Sequence, residues 1–231
     1  MSLKDDLQTQ VKTIFSGGRW SEREGTVVPS DESIALGNDA VKLDATVLYA
    51  DMADSTALVD GHKNWFAAEI YKTFLHCAAK TIRSEDGAIT AYDGDRIMAV
   101  FIGTLKNTRA VRAAMKTKWA VEEIINPARL AKYPDSKYVV RHVVGIDTSP
   151  LYVARTGVRG ANDLVWVGRA ANHAAKLATL PDPYTYITKS VYDAITDDVK
   201  LSNGTSMWTA HTWNTFNNST IYRSSWRYPV T

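Results

Sequence analysis

The chain has 231 residues, 45% of them hydrophobic, with 27 Lys and Arg against 25 Asp and Glu for a net charge of +2. That is enough apolar material for one sizeable α/β core. The near balance of charge argues against a nucleic-acid scaffold or a polybasic membrane anchor, so partners have to be sought in a local site.

A single cysteine, Cys77, excludes an internal disulfide framework and favours a reducing compartment. The opening "MSLKDDLQTQ" lacks an apolar signal core, and no stretch is apolar enough to span a bilayer. The expectation is a cytoplasmic protein with no membrane partner. From the start, residues 4–15 carry Leu7, Val11 and Ile14 at helical spacing, and the turn-rich, charged stretch that follows predicts an irregular arm through residue 44. Residues 46–52 form a β-branched and aromatic strand. A helical pattern over 57–83 follows, with Phe66, Ile70, Phe74, Cys77 or Ala78, and Ile82 along one side, and Gly87 stops it.

Residues 88–92 and 96–102 predict two short strands joined through "DGD", a hairpin signal that sets Asp95 at the start of the second. Residues 108–125 predict a helix ended by "NPARLAKYP", and 138–146 a further strand. Short strands at 151–153 and 164–167 flank "RTGVRGAND", in which "GVRG" at 157–160 reads as a turn. A helix over 170–180, a strand over 184–188 and a helix over 190–195 complete the alternating part, residues 45–199. The tail, 200–231, interleaves Trp, Phe and Tyr with Thr, Ser and Asn, as a terminal hairpin does when one face is covered; an aromatic platform for bases or sugars is the rarer alternative.

Strands alternating with helices around an embedded hairpin give a β-α-β-β-α-β core of ferredoxin-like type, an α/β (α+β) fold. In such a core the strands carrying Asp51 and Asp95 are neighbours, so the two carboxylates converge. A pair of acids at adjacent strand ends can hold two hard cations about 3.5–4 Å apart, which clamp the attacking and leaving oxygens of a phosphoryl transfer. Either aspartate alone reads more simply as a solvent-facing loop acid. What favours the pair is "ADMADST", with small residues and hydroxyls just before a helix, where backbone N–H groups of Ala53, Ser55 and Thr56 can face a phosphate chain. There is no H-E-x-x-H pattern and no P-loop, and the five histidines, His173 included, read as structural or exposed.

Four segments, "LYADMADST", "YDGDRIMAVF", "RHVVGIDTSPLYVARTG" and "VWVGRAANHAAKL", together resemble the class III nucleotidyl cyclase domain in order and separation. The likeness runs from about residue 45 to 180 and is narrower still to the bacterial pyrimidine cyclases of Pycsar anti-phage defence. It implies a central, mostly antiparallel sheet flanked by helices, with 1–44 as an N-terminal arm, 45–199 as the catalytic domain and 200–231 as its β extension. It also implies a nucleoside triphosphate substrate, two Mg²⁺ or Mn²⁺ ions per site, and a homodimer with composite active sites. Asp51 and Asp95 match the metal-binding aspartates, with the Met52 carbonyl as a further ligand, and Asn172 matches the asparagine that orients the ribose. Where the family has an arginine for the transition state this chain has Lys176, a compact charge in place of a planar fork, and Arg169 is the alternative. Asp54 stands where the family usually has glycine, which either narrows the phosphate loop or adds an acid near the metals.

In the family's purine cyclases, polar readers of the base stand at the positions of Ala91 and Val165, neither of which can satisfy an adenine edge. Tyr49, two residues before Asp51 on the same strand face, and Arg96, beside Asp95, are the polar candidates for a smaller ring; the alternative places Tyr49 in the core and Arg96 on the opposite face. The expectation is a uridylate cyclase forming 3′,5′-cyclic UMP and pyrophosphate, its product read by a separate effector. The rival readings are a cytidylate or purine cyclase and a catalytically silent nucleotide-binding module.

Overall fold

The computed structural model describes residues 2–158 and 161–231. Leu3–Ser16 forms α1, opened by a capping box in which Ser2 and Asp5 exchange side-chain-to-backbone hydrogen bonds. None of its residues is buried, and Leu3, Leu7, Val11 and Ile14 present their stripe to solvent. The arm after it is more ordered than its composition predicts. Ser21–Glu24 (β1) pairs in parallel with the start of β2, Asp39–Met52. That strand begins ahead of the predicted 46 because Val41 and Leu43 bury one face against the arm, while Lys42 and Asp44 between them break the apolar run in sequence.

The helix expected over 57–83 is two helices, α2 (Ser55–Gly61) and α3 (Asn64–Ser84), separated by extended backbone at His62 and Lys63. Ala88–Asp93 (β3) and Arg96–Ile102 (β4) form the hairpin, with Asp93 paired to Arg96 and Gly94 at φ +60°. Asp95 therefore lies in the turn itself. Lys106–Ala120 (α4) does not stop at "NPARLAKYP": a π turn over Val121–Ile125 carries it into α5, Asn126–Lys132. Pro127 sits in the first turn of α5, where the π turn already disrupts the regular ladder its ring would break.

The strands predicted at 138–146 and 151–153 are one strand, β5, His142–Val158, in which Pro150 is exposed opposite Asp44. It turns back into Ala161–Val167 (β6); the predicted turn at 157–160 falls partly outside the described residues. Arg169–Leu177 (α6), Thr185–Thr188 (β7) and Lys189–Ala194 (α7) follow, then a small ribbon of Leu201–Ser202 (β8) and Thr205–Ser206 (β9). The tail forms the expected hairpin, Thr209–Trp213 (β10) and Ser219–Ser224 (β11). It extends the sheet, because β11 pairs antiparallel with β7.

The main sheet runs β10-β11-β7-β5-β2-β4-β3, with β1 on β2 and β6 on β5; among these pairings only β5 with β7 and β1 with β2 are parallel. Alternation along β2 divides its side chains between two layers. Leu48, Ala50 and Met52 join Ile97, Ala99 and Phe101 in the larger core with the apolar sides of α3 and α4. The opposite face, with Val41, Leu43, Ala45 and Val47, packs on the arm and α6. That cover thins beyond Val47, so Tyr49 and Asp51 remain part-exposed on the same face.

Candidate active site

Asp51 and Arg96 are cross-strand partners in the β2–β4 ladder and share a sheet face. The Arg96 guanidinium donates to Asp51 Oδ2 from Nη2 at 2.6 Å and Nε at 3.1 Å, and its Cζ lies 6.0 Å from the centre of the Tyr49 ring. Arg96 thus faces the same side as Tyr49 and Asp51. Burial pushes the Asp51 carboxyl above the usual range; Arg96 pulls against that, while nearby Asp95 and Asp93 add to it. Asp95, next to Arg96 in the turn, has a buried Oδ2 with no hydrogen-bond partner. Two carboxylates, one on β2 and one in the adjoining hairpin turn with an orphaned buried oxygen, form a donor set suited to a hard divalent cation. Among the described residues no cluster of three or more His, Cys, Asp or Glu could hold a metal, so backbone and substrate oxygens would complete the coordination.

The loop after Asp51 is held by its neighbour strand. The Ala53 N–H donates to the Arg141 carbonyl at 2.9 Å and is therefore not free for a phosphate, contrary to the sequence expectation. The first N–H groups of α2, at Ser55 and Thr56, precede the point where helical hydrogen bonding begins. Asp54 adopts the left-handed region at φ 58°, as glycine would, and its carboxylate pairs with the Arg141 guanidinium.

A cleft of about 290 Å³ brings together Tyr49, Ala91, Val165 and Asn172, with Met98 and Trp166 in its wall. Four separate segments supply those first four residues. A β-bulge at Thr90, between the pairs Ile89–Ala99 and Ala91–Met98, re-aims the end of β3 toward the cleft. The Tyr49 phenol is protonated at neutral pH as any tyrosine is, and burial raises it further above its usual value.

The helix carrying Asn172 lies directly on β5. A Cβ on Gly145 would come within 2.2 Å of the Ala174 carbonyl, so only glycine permits this approach. Two residues on, on the same strand face, Asp147 is 0% exposed. Its Oδ1 accepts from Thr188 Oγ1 at 2.5 Å, and its Oδ2 lies 3.1 Å from His173 Nδ1 and 3.2 Å from Arg169 Nε. Arg169 also donates from Nη2 to the Thr148 carbonyl at 2.7 Å. Its guanidinium is thereby committed to β5, whereas Lys176 is exposed one turn beyond Asn172. Sequence reasoning missed Asp147 and took His173 as unpartnered. The available signal was "GIDTS", in which an acid shares a strand face with a glycine that a helix must approach.

Solved structures of low sequence identity share this architecture. The guanylyl cyclase Cya2 superposes with a TM-score of 0.68 at 17% identity, over 81% of this chain and 94% of that one. A class III adenylyl cyclase-like ATP-binding protein from Pseudomonas aeruginosa gives 0.69 at 17% identity, over 86% of this chain and 45% of that one. The fold is that of a class III nucleotidyl cyclase domain, a class that generally uses divalent metal ions and acts on nucleoside triphosphates, often as dimers. No family model matches the chain. Full-length relatives do: a uridylate cyclase of Xanthomonas perforans is 62% identical over 231 residues and one of Burkholderia cepacia 50% identical over 232, each covering 100% of both chains. A third, from a Rhodovulum species, is 38% identical over 99% of both. The chain belongs to this uridylate cyclase family and is a nucleotidyl cyclase, a phosphorus–oxygen lyase.

Proposed function

We propose that the protein converts UTP into 3′,5′-cyclic UMP and pyrophosphate, with Mg²⁺ or Mn²⁺ held by Asp51, Asp95 and the Met52 carbonyl. The observation that carries the base assignment is the cleft in which Ala91 and Val165 stand beside Tyr49 and Asn172. At the two positions where the family's purine cyclases place polar readers, an adenine edge would lose its partners at about 1–3 kcal/mol per buried group. A smaller ring leaves fewer groups to satisfy there, and the Tyr49 hydroxyl and Arg96 are the donors to it. The curated relatives named uridylate cyclase support the same substrate.

Asn172 orients the ribose, Lys176 meets the charge that develops on the α-phosphoryl group, and the N–H groups of Ser55 and Thr56 face the phosphate chain. Bound at the aspartates, divalent ions supply Lewis acidity that lowers the pKa of the ribose 3′-hydroxyl and offsets triphosphate charge. Arg96 pairs with Asp51 in the free chain, so ions held at that carboxylate would have to compete with its guanidinium. We assign the catalytic unit to a homodimer in which Asp51 and Asp95 of one subunit face Asn172 and Lys176 of the other. The product serves as a messenger to a separate effector in anti-phage defence.

Incubation with equimolar UTP, CTP, ATP and GTP and Mn²⁺, followed by mass spectrometry, tests the assignment. Cyclic UMP should dominate. Dominant cyclic AMP or cyclic GMP would overturn the pyrimidine reading, and dominant cyclic CMP would replace uracil with cytosine.

A further inference from the structure

Lys176 has an unusual setting for a cation. No carboxylate among the described residues pairs with it; its Nζ instead lies 5.6 Å from the centre of the Phe216 ring, in the turn between β10 and β11. That ring is itself braced. It stacks on Trp213 at 4.8 Å and 28°, and receives the His173 ring edge to face at 4.3 Å and 73°. Trp213 is buried and also meets His173 edge on, at 5.4 Å. On its other side His173 rests on Asp147, its Nδ1 lying 3.1 Å from Oδ2. The order is thus buried acid, imidazole, aromatic pair, ammonium, running from β5 through α6 to the tail.

We propose that the C-terminal hairpin belongs to the active-site machinery, with Phe216 as the positioning residue that holds the Lys176 ammonium, and with His173, anchored on Asp147, fixing the ring. The inference rests on the reading in which Lys176 stabilises the transition state. Its physical content is the difference between two ways of holding a lysine. A carboxylate would hold the ammonium and also neutralise it, so a phosphate would have to compete for the charge. An aromatic face attracts the cation through its quadrupole, carries no net charge, and leaves the full positive charge for a phosphoryl oxygen. A flexible four-carbon side chain standing where a rigid guanidinium fork is usual gains most from such a support. It follows that the aromatic residues of the tail, which by composition alone read as cover, include one whose function is to restrict a reacting cation.

The test is a cycle of Phe216→Leu and Phe216→Tyr in the wild-type chain and in Lys176→Ala, with kcat and KM measured for cyclic nucleotide formation and thermal unfolding as a control. Phe216→Leu should lower kcat about 3- to 10-fold with KM little changed, and Phe216→Tyr, which keeps the π face, should restore it. In Lys176→Ala the Phe216→Leu change should have no further effect. An equal loss in both backgrounds, or a change confined to KM, would mean that Phe216 only supports the fold. Near-normal kcat in Lys176→Ala itself would instead remove the underlying role of Lys176. Where Phe216→Leu unfolds, Phe216→Met keeps the bulk without the ring and is read in the same way. Independently of turnover, the Lys176 ε-methylene protons should be shifted upfield by the ring in the wild type and return toward random-coil values in Phe216→Met; unshifted protons in the wild type would overturn the proposal.

Discussion

Tyr49 lines the cleft, and burial moves its phenol still further above neutral pH than an ordinary tyrosine. Tyr49→Phe should remove about 1–3 kcal/mol of transition-state stabilisation for the preferred nucleotide and little for the others, which a competition assay of kcat/KM reads directly. Arg96→Ala is a less clean probe, because it also strips Asp51 of its two hydrogen bonds and so perturbs the carboxylate proposed to hold the ions. A second residue, His142, is wholly buried beside Phe74, and burial with help from nearby Lys118 pushes its imidazole down to about 3. The unfolded chain takes up a proton near pH 6.5 and the folded chain does not until about pH 3. The stability associated with a neutral His142 is therefore complete above pH 6.5 and is lost as pH falls through that window. Between pH 7 and 5 the loss should be on the order of 2 kcal/mol, and His142→Gln should abolish that part of the slope in urea titrations at the two pH values.

At the level of elements, the site depends on how closely α6 approaches β5. Gly145→Ala places a methyl into the helix backbone, and α6 must move because neither the Ala174 carbonyl nor the Ala178 amide can turn aside. The expected outcome is destabilisation of about 1–3 kcal/mol in chemical denaturation, with a fall in kcat beyond what the lost folded fraction explains, since Asn172 and Lys176 ride on that helix. The elements also show what sequence could and could not disclose. The placing of Asp51 at the end of β2 and of Asp95 at the hairpin was legible because local patterning sets both, whereas Asn172, inside α6, was singled out only by the resemblance to the cyclase family. The β2 extension to Asp39 was hidden, since its polar residues alternate with apolar ones that the distant arm covers. Pro127 read as a helix stop because a π turn leaves no compositional mark. Asp147 escaped notice because its partners Thr188, Arg169 and His173 come from two later elements that only the tertiary fold brings to it.

For the whole molecule, the decisive fact is that one sheet face is covered only in part. Tyr49 and Asp51 are part-exposed there, Val165 and Val167 on β6 are exposed, and α1 buries none of its apolar stripe. Such surplus apolar surface supports the proposed dimer with composite sites. Chains carrying Asp51→Ala and chains carrying Asn172→Ala should each be inactive, yet a mixture allowed to exchange subunits should recover up to about a quarter of wild-type activity if random pairing makes half the dimers mixed, each with one intact site. Native mass spectrometry of the mixture checks the exchange; mixed dimers without product would place each site within one chain.

The position of the last hairpin also sets an order in time. Until Ser219–Ser224 is available, β7 has an unpaired edge and the turn bearing Phe216 has no strand to hold it against α6. Chains emerge from the ribosome N-terminus first. Asp51, Asp95 and Asn172 are thus all synthesised before the strand that holds the Phe216 turn against α6, so a chain still being made or cut short before Ser224 lacks that support.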